Sequence, residues 1–324
     1  MADRTQCAGL GVDILIVGGT GMIGGHAAVH LAARGHRIVL GARRPPAAGT
    51  PMATFPLLVG DYAEGGFAQS DLAAFEAVVF AAGNDIRHIP RDADADDFWT
   101  RTQIAGVPAF AARAKAAGVR RLVQLGSYYH QAMPVLAGTD AYVRARKLAD
   151  DGARALADDR FAACTLNPPS IVGVMPGVAA RRYEMLVAWA RGERPDLPDF
   201  APAGGTNYMS VRSLTEAIEG ALLRGAAGRA YLIGDENLRF RDFFQMVFDA
   251  AGSLRQLEER DAEHPTLPDA FIVPGRGSVL AYEPDPEETR LLGYRRGDVR
   301  RAVAEVVAAV DAAAVRGAGG ERTA

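Results

Sequence analysis

An apolar run, Ile14-Leu-Ile-Val17, breaks at Gly18-Gly-Thr-Gly-Met-Ile-Gly24, continues as a helix-like stretch to Arg34, and returns as Arg37-Ile-Val-Leu-Gly-Ala42. No other feature restricts the possible folds as much. A buried strand, a glycine turn, a helix and a second strand, in that order, make a βαβ unit built to hold a phosphate. Gly18, Gly21 and Gly24 have separate tasks in it. The first permits a tight turn, the second lets backbone approach a pyrophosphate, and the third lets the helix pack close to the strand. The helix then opens with unpaired N–H groups directed at the phosphates. The glycine spacing alone says little. The strand before it and the helix after it point to a dinucleotide site, against the plainer alternative of such a scaffold with a decayed site.

The pattern repeats downstream. Apolar runs at residues 52–60, 75–83, 121–126 and 161–166 alternate with helical periodicity at 98–117 and 141–157. This alternation predicts an α/β fold, a Rossmann-type doubly wound parallel sheet. Right-handed crossovers would gather the strand C-termini along one edge, where ligands bind in open sheets. Gly18, Asp61, Gly83, Ser127 and Asn167 all stand just past strand ends and are expected to meet there. After Pro169 the texture changes to Pro/Gly-rich loops at 195–205 and 263–286, a returning strand at 229–234, and helices at 240–251 and 299–315. The expected division is a dinucleotide-binding domain of residues 1–170 with about 206–235, and a smaller C-terminal substrate lobe of 171–205 and 236–324. Disorder is expected only from Gly317 onward.

Composition removes several classes of function. A net charge of −3 with interspersed acids and bases leaves no nucleic-acid footprint or membrane-surface patch. No apolar run reaches the roughly 18 to 20 residues of a membrane span. The N-terminus, with Asp3 and Arg4, shows no apolar export signal. Cys7 and Cys164 stand far apart, which argues against a disulfide framework or cysteine metal site and fits a cytoplasmic location. His26 and His30 have i, i+4 spacing but no completing glutamate, so no metal is expected. The acidic run at 92–97 reads as a solvated helix start. No Gly-x-Ser-x-Gly elbow surrounds Ser127 or Ser170. Trp99 and Trp189 read as packing residues.

With these pieces in place, the chain resembles the extended short-chain dehydrogenase/reductases, the nicotinamide-dependent epimerase/dehydratase family. The resemblance spans roughly Leu10 to Gly252. Gly18-Gly-Thr-Gly-Met-Ile-Gly24 is similar to that family's glycine motif, which implies cofactor contacts at Gly18, Thr20, Gly21, Met22, Ile23 and Gly24. Ala81, Ala82 and Gly83 resemble the segment over which the adenosine ribose lies. Asp61 and Tyr62 resemble the pair beside the adenine. Asn167-Pro168-Pro169-Ser170 resembles the proline-rich turn that contacts the nicotinamide. Gln103 stands where the family usually has a structural asparagine, and Asn207-Tyr-Met-Ser-Val211 resembles a later family segment. The resemblance also implies a homodimer pairing the helices near 98–117 and 141–157, and a small-molecule substrate bound by the lobe.

Cofactor choice follows from charge. An acid at the end of the second strand would bind the 2′-hydroxyl of NAD and repel a 2′-phosphate. Ala42 is followed instead by Arg43 and Arg44, two guanidiniums suited to phosphate. NADP(H) is therefore expected over NAD(H), the alternative for the arginines being an ordinary solvated pair.

The family's proton chemistry uses Tyr-x-x-x-Lys on one helix face, with a serine at the end of the fifth strand. Ser127 fits. The helix, however, reads Tyr142-Val-Arg-Ala-Arg146-Lys147, placing the lysine five residues on, about 100° around an ideal helix from the usual position. Three readings stay open. A helix irregularity lets Tyr142 and Lys147 work together; or Arg146 replaces the lysine; or Lys147 keeps its place and Val143 occupies the tyrosine position. In the last case Tyr128, Tyr129 or His130 would supply the proton. The expected catalytic set is Ser127, Tyr142 and Lys147. The expected activity is a nicotinamide-dependent oxidoreductase acting on a carbonyl or secondary alcohol. The alternatives are an epimerase, dehydratase or isomerase that recycles its cofactor, and a non-catalytic NADP-binding sensor.

Overall fold

The computed structural model describes residues 11–320. Strands β1 (Asp13–Val17), β2 (Arg37–Ala42), β3 (Leu57–Val59), β4 (Ala77–Phe80), β5 (Arg121–Leu125) and β6 (Ala162–Asn167) pair in parallel. They are followed by β7 (Ser170–Val172), β8 (Phe200–Pro202), β9 (Gly205–Ser210) and β10 (Ala230–Leu232). Of these, β10 returns to the first sheet beside β6, giving the order β10-β6-β5-β4-β1-β2-β3. The chain reverses its direction of advance between β1 and β4. In open sheets of this order the switch point, at the C-terminal ends of the strands, is where a ligand crevice is expected.

Strand side chains alternate between two cores because successive residues point to opposite faces. Ile14 and Ile16 pack with Leu31, Leu214 and Ile218, beneath helices Met22–Ala33 and Val211–Arg224. Leu15 and Val17 join Phe67, Phe80 and Phe110 on the other face. Burial on both faces explains why these strands read as unbroken apolar runs.

The remaining strands, β11 (Glu236–Arg239), β12 (Glu258–Arg260) and β13 (Val279–Leu280), stand apart from that sheet. β9 pairs antiparallel with β11 and parallel with both β7 and β13, while β12 pairs with β8. Their core is aromatic: Trp189 meets Phe248 edge-on at 4.7 Å, and Tyr208 stacks on Phe243 at 4.2 Å. Helices Arg181–Ala190, Phe240–Ala250 and Val299–Gly320 contribute to this second core. Thus β9 belongs to the second sheet, whereas the helix and strand that follow it, Val211–Arg224 and β10, complete the first.

Local structure departs from the sequence pattern in three places. Residues Pro51–Thr54 form a 3-10 turn that packs Met52 against Gly25, so the third strand shrinks to β3. The long helix expected over 98–117 is divided into a short helix Ala95–Trp99, a π-turn Thr100–Ile104 and a helix Gly106–Ala116. Gly106 allows the change, since a side chain there would collide with the Arg101 carbonyl. The terminal helix continues to Gly320, past the onset of disorder expected at Gly317. Asp3, Arg4 and Cys7 lie outside the described residues, and Cys164 is a free buried thiol in β6. Among the described residues no helix is long and apolar enough to cross a membrane.

The turn after β1 sets the tightest steric limit. Gly18 has φ 82°, and a Cβ on it would lie 2.7 Å from the Ala82 nitrogen. Gly49 has a similar φ of 74° with open space around it. Gly18→Ala is therefore expected to lower unfolding free energy by about 2–4 kcal/mol, and Gly49→Ala by about 1 kcal/mol. Urea denaturation of both variants checks this; equal losses would remove the steric argument.

Candidate active site

The glycine turn is built as a cradle. The Gly18 N–H donates to the Gly41 carbonyl at 2.7 Å, and Gly24 packs so closely that a Cβ would strike the Gly18 carbonyl. Gly21 is exposed, and a Cβ on it would meet only the Gly18 carbonyl, at 3.3 Å. Helix Met22–Ala33 starts from Gly21 with no side-chain cap and no acid in its first turn. Its leading N–H groups and positive dipole end therefore face the crevice unopposed. Thr20, Met22 and Ile23 lie half-buried along the same rim. A pyrophosphate fits this donor set.

At the adenosine end, Ala42 is buried, and Arg43 and Arg44 extend from β2 into solvent. Arg43 is 71% exposed, its Nη1 3.9 Å from an Asp61 oxygen. Asp61 also accepts the Ala63 N–H, capping the turn Tyr62–Glu64. Tyr62 does not face the crevice. Its ring meets Phe80 edge-on at 4.8 Å, and its hydroxyl donates to the Thr102 carbonyl at 2.7 Å and accepts from Asn84 at 2.9 Å. Burial pushes its phenol up to about 12. The expected place beside adenine is corrected to a core position. Ala81 and Ala82 lie half-buried against Gly18, and Gly83 is exposed.

The face of the proton-transfer helix is set by what lies beneath it. Asp140 accepts the Val143 N–H and starts a regular α-helix, Ala141–Arg154. Tyr142 lies between Trp99, at 5.3 Å, and Tyr129, at 6.2 Å. One turn later Arg146 is 6% exposed. Its Nη2 donates to the Leu125 carbonyl at 2.9 Å and to the Gly126 carbonyl, and its Nη1 to the Asn84 carbonyl at 3.2 Å. Among the described residues no carboxylate comes within ion-pair distance of it. Lys147 turns the other way, 45% exposed and paired with Asp151 on the outer surface. Val143 is fully buried against Tyr128, Leu136 and Leu280.

This geometry bears on the placement that each of the three readings requires. No helix irregularity rescues Lys147, and Val143 is a core residue. Of Tyr142, Arg146 and Lys147, the first two share the inward face. The expected placement of Lys147 at the site is corrected: one residue around a regular helix puts it in solvent.

Ser127 follows Gly126 at the end of β5, 6% exposed, with no hydrogen-bond partner for its hydroxyl among the described residues. Gln103, from the π-turn, donates to the same Asn84 carbonyl that Arg146 uses, at 3.3 Å. In the sequence Gln103 stands out only as a departure from the family's asparagine; the acceptor it shares is a backbone atom, which leaves no residue-type signal.

Asn167 is also redirected. Its amide donates to Asp150 at 3.0 Å and Gln131 at 2.7 Å, beneath the helix and away from the crevice. A nicotinamide contact at this turn would fall to backbone atoms or to Pro168, Pro169 and Ser170, of which the prolines are buried and Ser170 half-buried. Beside them Tyr128 shares a hydrogen bond with Thr206 at 2.7 Å. Tyr129 lies tilted against Tyr128, ring centroids 4.2 Å apart, and burial holds its phenol well above the ordinary value.

The weaker candidates find structural partners. His26 contacts the Val174 carbonyl and His30 contacts Glu219, each at 2.7 Å. Asp94 caps helix Ala95–Trp99 through the N–H groups of Asp96 and Asp97. Among the described residues no cluster of three or more His, Cys, Asp or Glu could hold a metal ion.

The sequence model of the NAD dependent epimerase/dehydratase family matches residues 14–234. No curated protein matches the chain. Among solved structures, the Bordetella bronchiseptica enzyme WbmG in complex with NAD aligns with a TM-score of 0.69 at 17% identity, covering 94% of this chain and 96% of its own. A putative epimerase from Burkholderia cenocepacia J2315 aligns at 0.68 and 16% identity, covering 94% and 100%. UDP-N-acetylglucosamine 4-epimerase from Bacillus cereus aligns at 0.66 and 12%, covering 92% and 99%. At these identities the structural likeness speaks for the fold.

The two cations of the helix should separate in their effect on stability. Arg146→Met strands three carbonyls and is expected to cost about 2–4 kcal/mol. Lys147→Met removes an exposed i, i+4 pair and should stay within about 0.5 kcal/mol. Chemical denaturation measures both, and a larger loss for Lys147→Met would reverse the assignment of faces.

Proposed function

We propose, on the premise that this chain belongs to the NAD dependent epimerase/dehydratase family, that it moves a hydride between a nicotinamide and a carbonyl or secondary alcohol carbon of a small organic substrate. The observation that carries this reading is the inward face shared by Tyr142 and the buried Arg146. Bound nicotinamide would supply or accept the hydride. Ser127 orients the substrate oxygen, and Tyr142 gives a proton to it or takes one from it. Arg146, one helical turn from Tyr142, places a buried positive charge, with no carboxylate partner among the described residues, on the same face. The same guanidinium lies close to Gly83 and would stand beside the nicotinamide ribose.

The residues favour NADP(H). Arg43 and Arg44 offer two guanidiniums and the end of β2 has no acid to repel a 2′-phosphate, although Asp61 offsets part of the Arg43 charge. WbmG was solved with NAD, so the distinction has to rest on this chain's own arginines.

A second reading is internal recycling, as in an epimerase. The family description and the epimerase neighbours favour it. So does Arg146: a guanidinium does not release its proton near neutrality, and recycling returns the Tyr142 proton to the substrate without exchange through a neighbouring base. A homodimer is part of the same proposal. Ala109, Ala112, Ala116 and the 41% exposed Leu148 offer a surface on helices Gly106–Ala116 and Ala141–Arg154.

Calorimetry of NADPH and NADH on wild type and on the Arg43→Ala/Arg44→Ala double variant tests the cofactor. NADPH binding is expected to weaken about 10- to 100-fold in the variant, with NADH binding unchanged. Equal affinity of the wild type for both would remove the NADP(H) preference. In a carbonyl panel, Tyr142→Phe should reduce turnover about 10²- to 10⁴-fold. Turnover without added cofactor, by protein carrying tightly held nicotinamide, would select the recycling reading; nicotinamide binding without any turnover would favour a sensor.

A further inference from the structure

Beneath the helix that carries Tyr142 and Arg146 lies a buried polar layer for which the proposed reaction has no direct use. Its hub is Asp150, fully buried one turn beyond Arg146. The Asp150 carboxylate accepts from His130 Nε2 at 3.0 Å, from Asn167 Nδ2 at 3.0 Å, and from Arg154 one turn further on. Three separate parts of the chain thus converge on it. His130 comes from the turn that follows Ser127, Asn167 from the end of β6, and Arg154 from the helix itself, reaching on to the Gly228 carbonyl ahead of β10.

Burial alone would raise the Asp150 pKa. The hydrogen bonds from His130, Arg154 and Asn167, with the Arg154 charge, hold it down to about 2. An ionised carboxylate only accepts hydrogen bonds, so the His130 proton sits on Nε2. The opposite nitrogen, Nδ1, is buried with no partner. In the same layer Asn167 Oδ1 is also unpartnered, lodged where any side chain on Gly126 would have to go.

Such a layer is an expensive way to hold a fold. Apolar residues of the same volume would hold it as well or better, since buried charges must first be desolvated. What directional bonds add is orientation. A slip of one residue along the helix would turn Tyr142 and Arg146 about 100° away from the crevice, and would also part Asp150 from both His130 and Asn167.

We propose that His130 and Asp150 are positioning residues: their buried hydrogen bond locks the turn that begins at Ser127 to the helix face that presents Tyr142 and Arg146. The proposal rests on the reading of that face as the reacting one. Trp99, against Tyr142, provides a local reporter, and Trp189, deep in the second core, a remote control.

The test uses the full-length protein labelled with 15N, comparing wild type, Asp150→Asn, His130→Leu and His130→Gln. The wild type should show a slowly exchanging imidazole Nε2–H that disappears in both His130 variants. Asp150→Asn and His130→Leu should shift the Trp99 indole signal, leave that of Trp189 in place, and weaken NADPH binding at least tenfold. His130→Gln keeps an amide donor for Asp150 and should restore the Trp99 signal and most of the affinity. A lowered melting temperature with Trp99 and NADPH affinity unmoved would make the pair merely structural and overturn the proposal. So would a His130→Gln protein that behaves like His130→Leu. If wild type binds no nicotinamide, the functional reading falls while the indole signals still judge the positioning claim.

Discussion

The Arg146 guanidinium ties the ends of β4 and β5 to the helix above them, and the arrangement of the crevice follows from that contact. One planar group donates to carbonyls of Asn84, Leu125 and Gly126. Three acceptors at and beyond the ends of two strands suit a rigid fork of donors better than a single ammonium on a flexible stem. The seat needs room, and Gly83 provides it: a Cβ there would stand 3.1 Å from Nη1. The cation is thus held by backbone dipoles with no carboxylate beside it. Its charge is permanent, and it lies one helical turn from the only tyrosine on that helix.

Close backbone approach is the second condition. Gly18 lies against the Ala81–Ala82 backbone, Gly24 against Gly18, and Gly126 against the Asn167 amide. The first draws the ends of β1 and β4 together at the switch point, the second seats the helix on the turn, and the third joins the ends of β5 and β6. The uncapped helix that starts at Gly21 then faces the same opening as Ser127 and Tyr142. Small residues and backbone donors at one end of this edge and phenols at the other suit a long ligand with a phosphate-bearing part and a reacting part.

The two faces of helix Ala141–Arg154 have different tasks. Its inner face carries Arg146, Asp150 and Arg154 at successive turns, each bonded to a different part of the sheet edge. Its outer face carries Lys147, Leu148 and Asp151. An exposed ion pair such as Lys147–Asp151 contributes little. The buried series governs placement, because removing one member leaves charged or polar partners without hydrogen bonds.

Periodicity and turn chemistry made the βαβ start, the alternation of strands and helices, and the gathering of strand ends legible from residues alone. Those patterns arise from local geometry, a period of two or of 3.6, and from the steric freedom of glycine. The inward or outward direction of individual side chains was not legible. Tyr142, Arg146 and Lys147 all suit a helix, and only the carbonyls of β4 and β5 beneath it choose Arg146. Tyr62 was drawn into the core by Phe80 and the Thr102 carbonyl, and Asn167 was drawn under the helix by Asp150, a residue 17 positions earlier in the chain. The second sheet was hidden for the same reason: β7, β11 and β13 are short and meet on β9 from distant segments. By itself, then, the sequence determined the class of fold and the nucleotide-binding turn, which local spacing encodes. The tertiary structure decided which residues face the crevice, because that depends on the acceptors and packing partners that distant strands bring beneath each helix.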